Sequence, residues 1–255
     1  MKEEVDELSI SQRTGTDIFL ETARNGEENR RAYQTKPWPS DYEIYGGEET
    51  TNTDNHEYVD LGLPSGTLWA TENIKDANGD ELYFAWGETQ GYTAEQVGND
   101  KYFAWSGDNA DYKYGTYNER DEDLGMTKYN NTDGKTELDT EDDAATANWG
   151  SNWRMPTKKQ YEELTGYTST SWTQVDGVKG LLFTSTANTN TLFFPAVGYA
   201  EGGGVYTIGN EGFYWSVVSD GKDVNNASKL GFGKKNLAVV KSPRYYGCSV
   251  RPVRS

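Results

Sequence analysis

The chain has 255 residues with 24 Lys/Arg against 41 Asp/Glu, a formal net charge of −17, one histidine and one cysteine. That length is ample for a buried core, the single cysteine excludes an internal disulfide or a cysteine-rich zinc site, and no apolar run reaches membrane-spanning length. The apolar fraction is only 34%, but eight Trp, 18 Tyr and eight Phe compensate, because each ring buries a large area.

Residues 1 to 56 read as an extended arm or attachment segment. Fifteen acids stand against six Lys/Arg through Asp60, bulky apolar residues are few, a short helix or strand that could start at Asp17 to Ala23 is interrupted by Gly26-Glu-Glu-Asn29, and Lys36-Pro-Trp-Pro39 follows. Met1-Lys-Glu-Glu-Val5 lacks the basic and apolar segments of a secretory leader. The expectation is a removed leader or release without one.

From Glu57 to Ser255 the pattern predicts one strand- and loop-rich α+β domain with few short helices. Tyr58 to Ala70 reads as strand, tight turn and strand, and Leu82 to Trp86 as a further short strand. Gly87 to Trp149 is a long Gly/Asn/Asp/Tyr insertion, expected to lie on the surface with Tyr112, Tyr114 and Tyr117 exposed, as are Tyr206, Tyr245 and Tyr246. Thr157-Lys-Lys-Gln160 fits a capping box, with Tyr161 and Leu164 making the helix's apolar stripe and Gly166 ending it. Gly180 to Thr184, Thr191 to Ala196, Val205 to Ile208, Lys229 to Phe232 and Cys248 to Pro252 read as strands. Trp69, Trp86, Trp149, Trp153 and Trp215 are expected in the core.

Catalytic signals are weak. His56, the lone histidine, sits at the arm boundary as a solvated linker residue, which excludes a Ser-His-Asp or Cys-His arrangement inside the domain. Asn131-Thr-Asp-Gly134 and Asp139-Thr-Glu-Asp-Asp143 offer hard oxygen ligands, but Tyr129 and Thr140 break the calcium-loop spacing, and solvated acids are the simpler reading. Asp142 and Asp143 are alternatively expected to cap local backbone. No metal and no cofactor is assigned.

Gly221 to Ser255 holds eight Lys/Arg against the single acid Asp223, a tail of +7 that leaves −24 on residues 1 to 220. This predicts a basic face on an acidic body that docks an anionic partner, a protein surface or an acidic glycan. The acidic remainder argues against nucleic acid.

Seven ordered motifs, Val59 to Thr71, Tyr83 to Glu88, Asp142-Asp-Ala-Ala145, Trp153 to Thr157, Phe194 to Tyr199, Tyr214-Trp-Ser216 and Ser249 to Val253, together resemble the Fib_succ_major paralogous-domain family of gut bacteria and their phages. The resemblance implies a C-type-lectin-like fold related to the formylglycine-generating enzymes and to the variable proteins of diversity-generating retroelements. Residues 216 to 248 would then form a variable recognition surface, with Val217, Val218, Ser228, Gly231, Gly233, Lys235, Ala238, Val240, Ser242, Tyr246 and Cys248 as exchanged ligand-binding positions. The implied protein is a receptor-binding adhesin, extracellular on a phage tail or a bacterial surface, trimeric or attached to a larger assembly through residues 1 to 56. The alternatives are a fixed-specificity structural virion or surface protein, and a formylglycine-generating-like enzyme, against which the lone Cys248 stands.

Overall fold

The computed structural model describes residues 56–98, 112–115 and 125–254. The chain divides between residues 52 and 53, and the described residues all belong to the second part. The expected arm therefore lies outside them except for His56, as does Tyr117.

Strands β1 (Tyr58–Asp60) and β2 (Leu68–Ala70) pair antiparallel, and β11 (Val253–Arg254) adds to the other side of β2, Val253 opposite Trp69. The start and end of the domain are thus stitched together. Helices α1 (Ala94–Val97) and α2 (Ala144–Trp149) are short, and a 3-10 turn spans Thr140–Asp142. Helix α3 (Lys158–Gly166) carries the expected box, with Thr157 accepting from the Gln160 amide and Gln160 from the Thr157 amide. A second sheet orders β3 (Thr168–Val175), β4 (Val178–Ser185) and β5 (Thr191–Pro195); its first hairpin turns at Asp176 and Gly177, with φ of 48° and 84°. That left-handed pair suits the twist of a two-residue hairpin turn. Strands β6 (Tyr199–Glu201) and β7 (Gly204–Tyr206) make a small ribbon, and β8 (Glu211–Asp220), β9 (Asp223–Gly233) and β10 (Leu237–Pro243) a third sheet in the order β10-β9-β8.

Two aromatic clusters form the core. One gathers Trp86, Trp153, Trp215 and Tyr129; the other gathers Trp69, Tyr161, Phe183, Phe194, Tyr214 and Phe232. Several polar tips are engaged: the Trp86 indole donates to the Ser216 carbonyl at 2.8 Å, Trp215 to Phe84 at 2.7 Å, and the Tyr83 hydroxyl to Val197 at 2.7 Å. Each ring contributes about 1.5–3 kcal/mol by leaving water, and the Trp69 indole N–H is buried without a hydrogen-bond partner among the described residues, which offsets part of that gain.

The expected C-type-lectin-like α+β fold is corrected. The described domain is mostly β, built from several small antiparallel sheets, and its helices of four, six and nine residues are too short to form a helical layer. The segments expected as strands at Leu82 to Trp86 and Cys248 to Pro252 make isolated bridges, Phe84 opposite Cys248 among them. Among the described residues no helix is long and apolar enough to cross a membrane.

Candidate functional site

The register of the third sheet decides what its two faces hold. On β8 and β9, Phe213 lies opposite Gly231 and Trp215 opposite Lys229; on β9 and β10, Gly231 lies opposite Ala238, Lys229 opposite Val240 and Ala227 opposite Ser242. Directly opposed residues project to the same side. Phe213, Trp215, Lys229, Gly231, Ala238 and Val240 therefore share one face, which enters the first core cluster at Trp215, while Tyr214, Leu230 and Phe232 turn into the second core cluster. Ala238 and Val240 are exposed. A Cβ added at Gly231 would meet the Phe213 ring and the Val240 side chain, each at 3.2 Å. The Phe213 ring and the Val240 side chain thus close over Gly231, which is buried, and Ala238 and Val240 are left at the surface beside them.

Next to Gly231 the ammonium of Lys229 is enclosed by rings. It lies 4.2 Å from the Phe213 centroid, 5.6 Å from those of Tyr199 and Trp215, and 5.8 Å from that of Tyr246. Beneath, it donates to the Cys248 sulfur at 3.7 Å. Each such ring contact contributes on the order of 0.5–2 kcal/mol, toward the upper end where water is excluded. Burial pushes the Cys248 thiol above its ordinary value, and the neighbouring ammonium works against that shift. Tyr199 stacks on Tyr246 at 5.5 Å and meets Phe213 and Tyr206 at 5.4 and 5.7 Å. Tyr206 is 48% exposed, so this aromatic group opens to solvent.

The structure divides the sequence-predicted positions. It brings Gly231, Ala238, Val240 and Tyr246 together around Phe213 and Lys229. Gly233 and the exposed Lys235 stand at the turn between β9 and β10, where the Gly233 amide donates to the Asn236 carbonyl at 2.9 Å. Val217, Ser228, Ser242 and Cys248 are buried, and Val218 is half-buried and bridges to Glu137. Phe213, Lys229 and Tyr199 were not among the predicted positions; the usable signal was the strand alternation that sets Lys229 two residues before Gly231.

The expected basic face is corrected by burial. Lys229, Arg244 and Arg251 are interior, Lys241 pairs with Asp220, and the Arg254 guanidinium lies over the Tyr58 and Trp153 rings at 5.0 and 5.4 Å. Arg244 donates to the Lys128 and Tyr129 carbonyls and sits 4.6 Å from the Trp86 centroid. Tyr112 and Tyr114, expected at the surface, are buried, their hydroxyls donating to the Trp86 and Gly87 carbonyls at 2.6 and 3.1 Å. His56 stacks on Trp149 at 3.6 Å instead of standing in solvent.

The acids at 139 to 143 are largely engaged. Asp143 caps α2 through the Ala145 and Thr146 amides and also accepts from Met155, as the capping alternative expected. Asp139, Glu141 and Asp142 bring one carboxylate oxygen each within 4.8 Å of the others. Lys128 fills the space between them, its ammonium 2.8, 3.5 and 2.6 Å from the three. Lys113 reaches Asp142 at 2.6 Å and the Tyr129 hydroxyl donates to it at 2.5 Å. Burial alone would raise the Asp142 carboxyl, but these donors hold it well below the usual carboxylate range. A side-chain cation thus occupies the place a metal would take.

Residues 181–253 match a family model described as a domain of unknown function (DUF8237). The match runs from within β4 to the start of β11 and includes the whole β8-β9-β10 sheet. No curated protein and no solved structure matches the chain.

Proposed function

We propose that the chain is a receptor-binding display protein whose recognition surface is the exposed part of the β8-β9-β10 face, where Ala238 and Val240 lie. The observation that carries this reading is the register that sets Gly231, Ala238 and Val240 beside Phe213 on one face, where the Tyr199 ring packs against both Phe213 and Tyr246. On the opposite face Tyr214, Leu230 and Phe232 anchor the sheet in the core. Side chains at 238 and 240 can be exchanged there at little cost to the fold, since surface substitutions usually change stability by about 0.5 kcal/mol or less. Tyrosine-rich ground beside them supplies rigid contact area with polar tips. On this reading the partner is a receptor on a cell surface, the chain is carried by a phage tail or a bacterial surface, and a retroelement is one route by which positions on this face are varied.

The test measures binding of fluorescently labelled full-length chain to a panel of intact gut bacteria, together with its melting temperature. Ala238→Asp and Val240→Asp are expected to keep the melting temperature within about 2 °C and to abolish binding, while Lys158→Glu, on α3, leaves both unchanged. Absence of binding by the wild type, or binding that survives both face substitutions, refutes the proposal.

A further inference from the structure

A second concave site lies away from that face, where residues 71 to 81 meet β3, β4 and β5. It is a cavity of about 540 Å³, within the roughly 300–1,000 Å³ range of small-ligand sites. Buried Arg251 lines it, only 1% exposed. Its Nε donates to the Asn73 Oδ1 at 2.8 Å, and one terminal nitrogen donates to the Ala70 and Thr71 carbonyls at 3.1 Å each. The other terminal nitrogen has no hydrogen-bond partner among the described residues. Asn73 turns its amide nitrogen to Glu81 Oε2 at 2.8 Å, and Glu81 Oε1 likewise accepts nothing among the described residues. The asparagine therefore holds a spare guanidinium donor and a spare carboxyl acceptor side by side on the cavity wall.

The charge around the cavity selects among ligands. Glu72, Asp80 and Asp176 join Glu81 in the lining against Lys75 and Arg251, so an anion meets more carboxylates than cations. A cation drawn to Glu81 meets the guanidinium beside it. A hydroxyl both donates and accepts, so neighbouring hydroxyls of one ring satisfy Arg251 and Glu81 together without placing charge on charge. The apolar wall fits the other side of such a molecule. Phe193 packs against Gly180, where an added Cβ would come within 2.6 Å of its ring, so the ring rests on the sheet and offers C–H groups an apolar surface. Burial pushes the Glu81 carboxyl above its ordinary value, despite the Asn73 hydrogen bond and Arg251.

We propose that this cavity binds a neutral sugar, with Arg251 and Glu81 engaging adjacent hydroxyls and Phe193 facing the ring. It is independent of the receptor face and stands or falls separately. The test is saturation-transfer NMR on the full chain with the methyl glycosides of glucose, galactose, mannose and N-acetylglucosamine, and with alanine and n-butylamine as charged probes. At least one glycoside is expected to bind, with affinity reduced about tenfold or more in Glu81→Gln and Phe193→Ala, the loss expected when a hydrogen bond or stacking surface goes. In the wild type the same glycoside should shift the Asn73 side-chain amide and Arg251 Nε–H resonances, a readout that does not depend on the variants folding. No transfer from any glycoside, preferential binding of alanine or butylamine, or glycoside shifts confined to other residues overturns the proposal.

Discussion

Replacing Asp142 by Asn removes the charge at the centre of the lysine-filled cluster while keeping its size. The carboxylate is nearly enclosed, its side chain 3% exposed, and is bound at 2.6 Å by both Lys113 and Lys128. Breaking a buried ion pair costs about 3–5 kcal/mol. Here the loss is smaller, because Lys113 is half in solvent and Lys128 retains Asp139 at 2.8 Å; about 2–3 kcal/mol is expected, or roughly 4–12 °C in melting temperature for a domain of this size. The pH dependence has a definite sign. A carboxyl depressed in the folded state contributes stability that is present above its unfolded value, about 3.9, and is lost as pH falls toward the folded one. The gap between wild type and Asp142→Asn should therefore be constant from about pH 5 to 8 and close below about pH 4. Thermal unfolding followed by circular dichroism measures it. A gap under about 1 kcal/mol, a gap abolished by molar salt, or a wild-type melting temperature raised by millimolar calcium would refute the account of a cluster filled by its own lysine.

Two further outcomes follow from packing. Gly198 and Gly209 share a left-handed φ, 72° and 75°, but a Cβ at 198 would fall 1.9 Å from the Tyr206 carbonyl oxygen whereas one at 209 meets nothing within 4 Å; Gly209→Ala should lose about 1 kcal/mol and Gly198→Ala should fail to give folded protein, as expression and unfolding curves will show. Cys248 is fully buried, and its thiol is pushed up by burial, so a thiol reagent at pH 8 should modify native protein only at the rate of unfolding, and rapid stoichiometric labelling would contradict the packing around Lys229.

Local chemistry was legible where it was self-contained. Thr157 and Gln160 mark the start of α3 because both partners of the box lie within one turn. The β3 strand, Thr168–Val175, was missed because it is mostly polar and largely exposed, although Asp176-Gly177 beside β4 was a usable hairpin sign. Tyr112 and Tyr114 were misread for the opposite reason. Their Gly, Asn and Asp neighbours look like an open loop, and nothing nearby in sequence reveals that their hydroxyls reach backbone at Trp86 and Gly87. At the candidate face the alternation around Gly231 was readable, but the Tyr199 ring arrives from a separate ribbon, and only the tertiary fold places it against Phe213 and Tyr246.

The basic tail shows why charge counted along a sequence is an unsafe guide to a binding surface. A lysine or arginine is usually at the surface, yet here aromatic rings and backbone carbonyls make an interior in which cations are held. Arg244 ties the tail to the Lys128 and Tyr129 carbonyls, and Arg251 ties it to Ala70 and Thr71. These two residues fix the segment on either side of Tyr245 and Tyr246, so the positive charge that was expected to meet a partner instead helps position these rings. Of the lysines left at the surface, Lys241 is already paired with Asp220, which leaves Lys222 and the turn residues Lys234 and Lys235 to act on an anion. On the proposed reading, recognition at this face therefore rests on the exposed Ala238 and Val240 and on its tyrosine rings, with charge confined to the edge, where it steers approach more than it sets affinity.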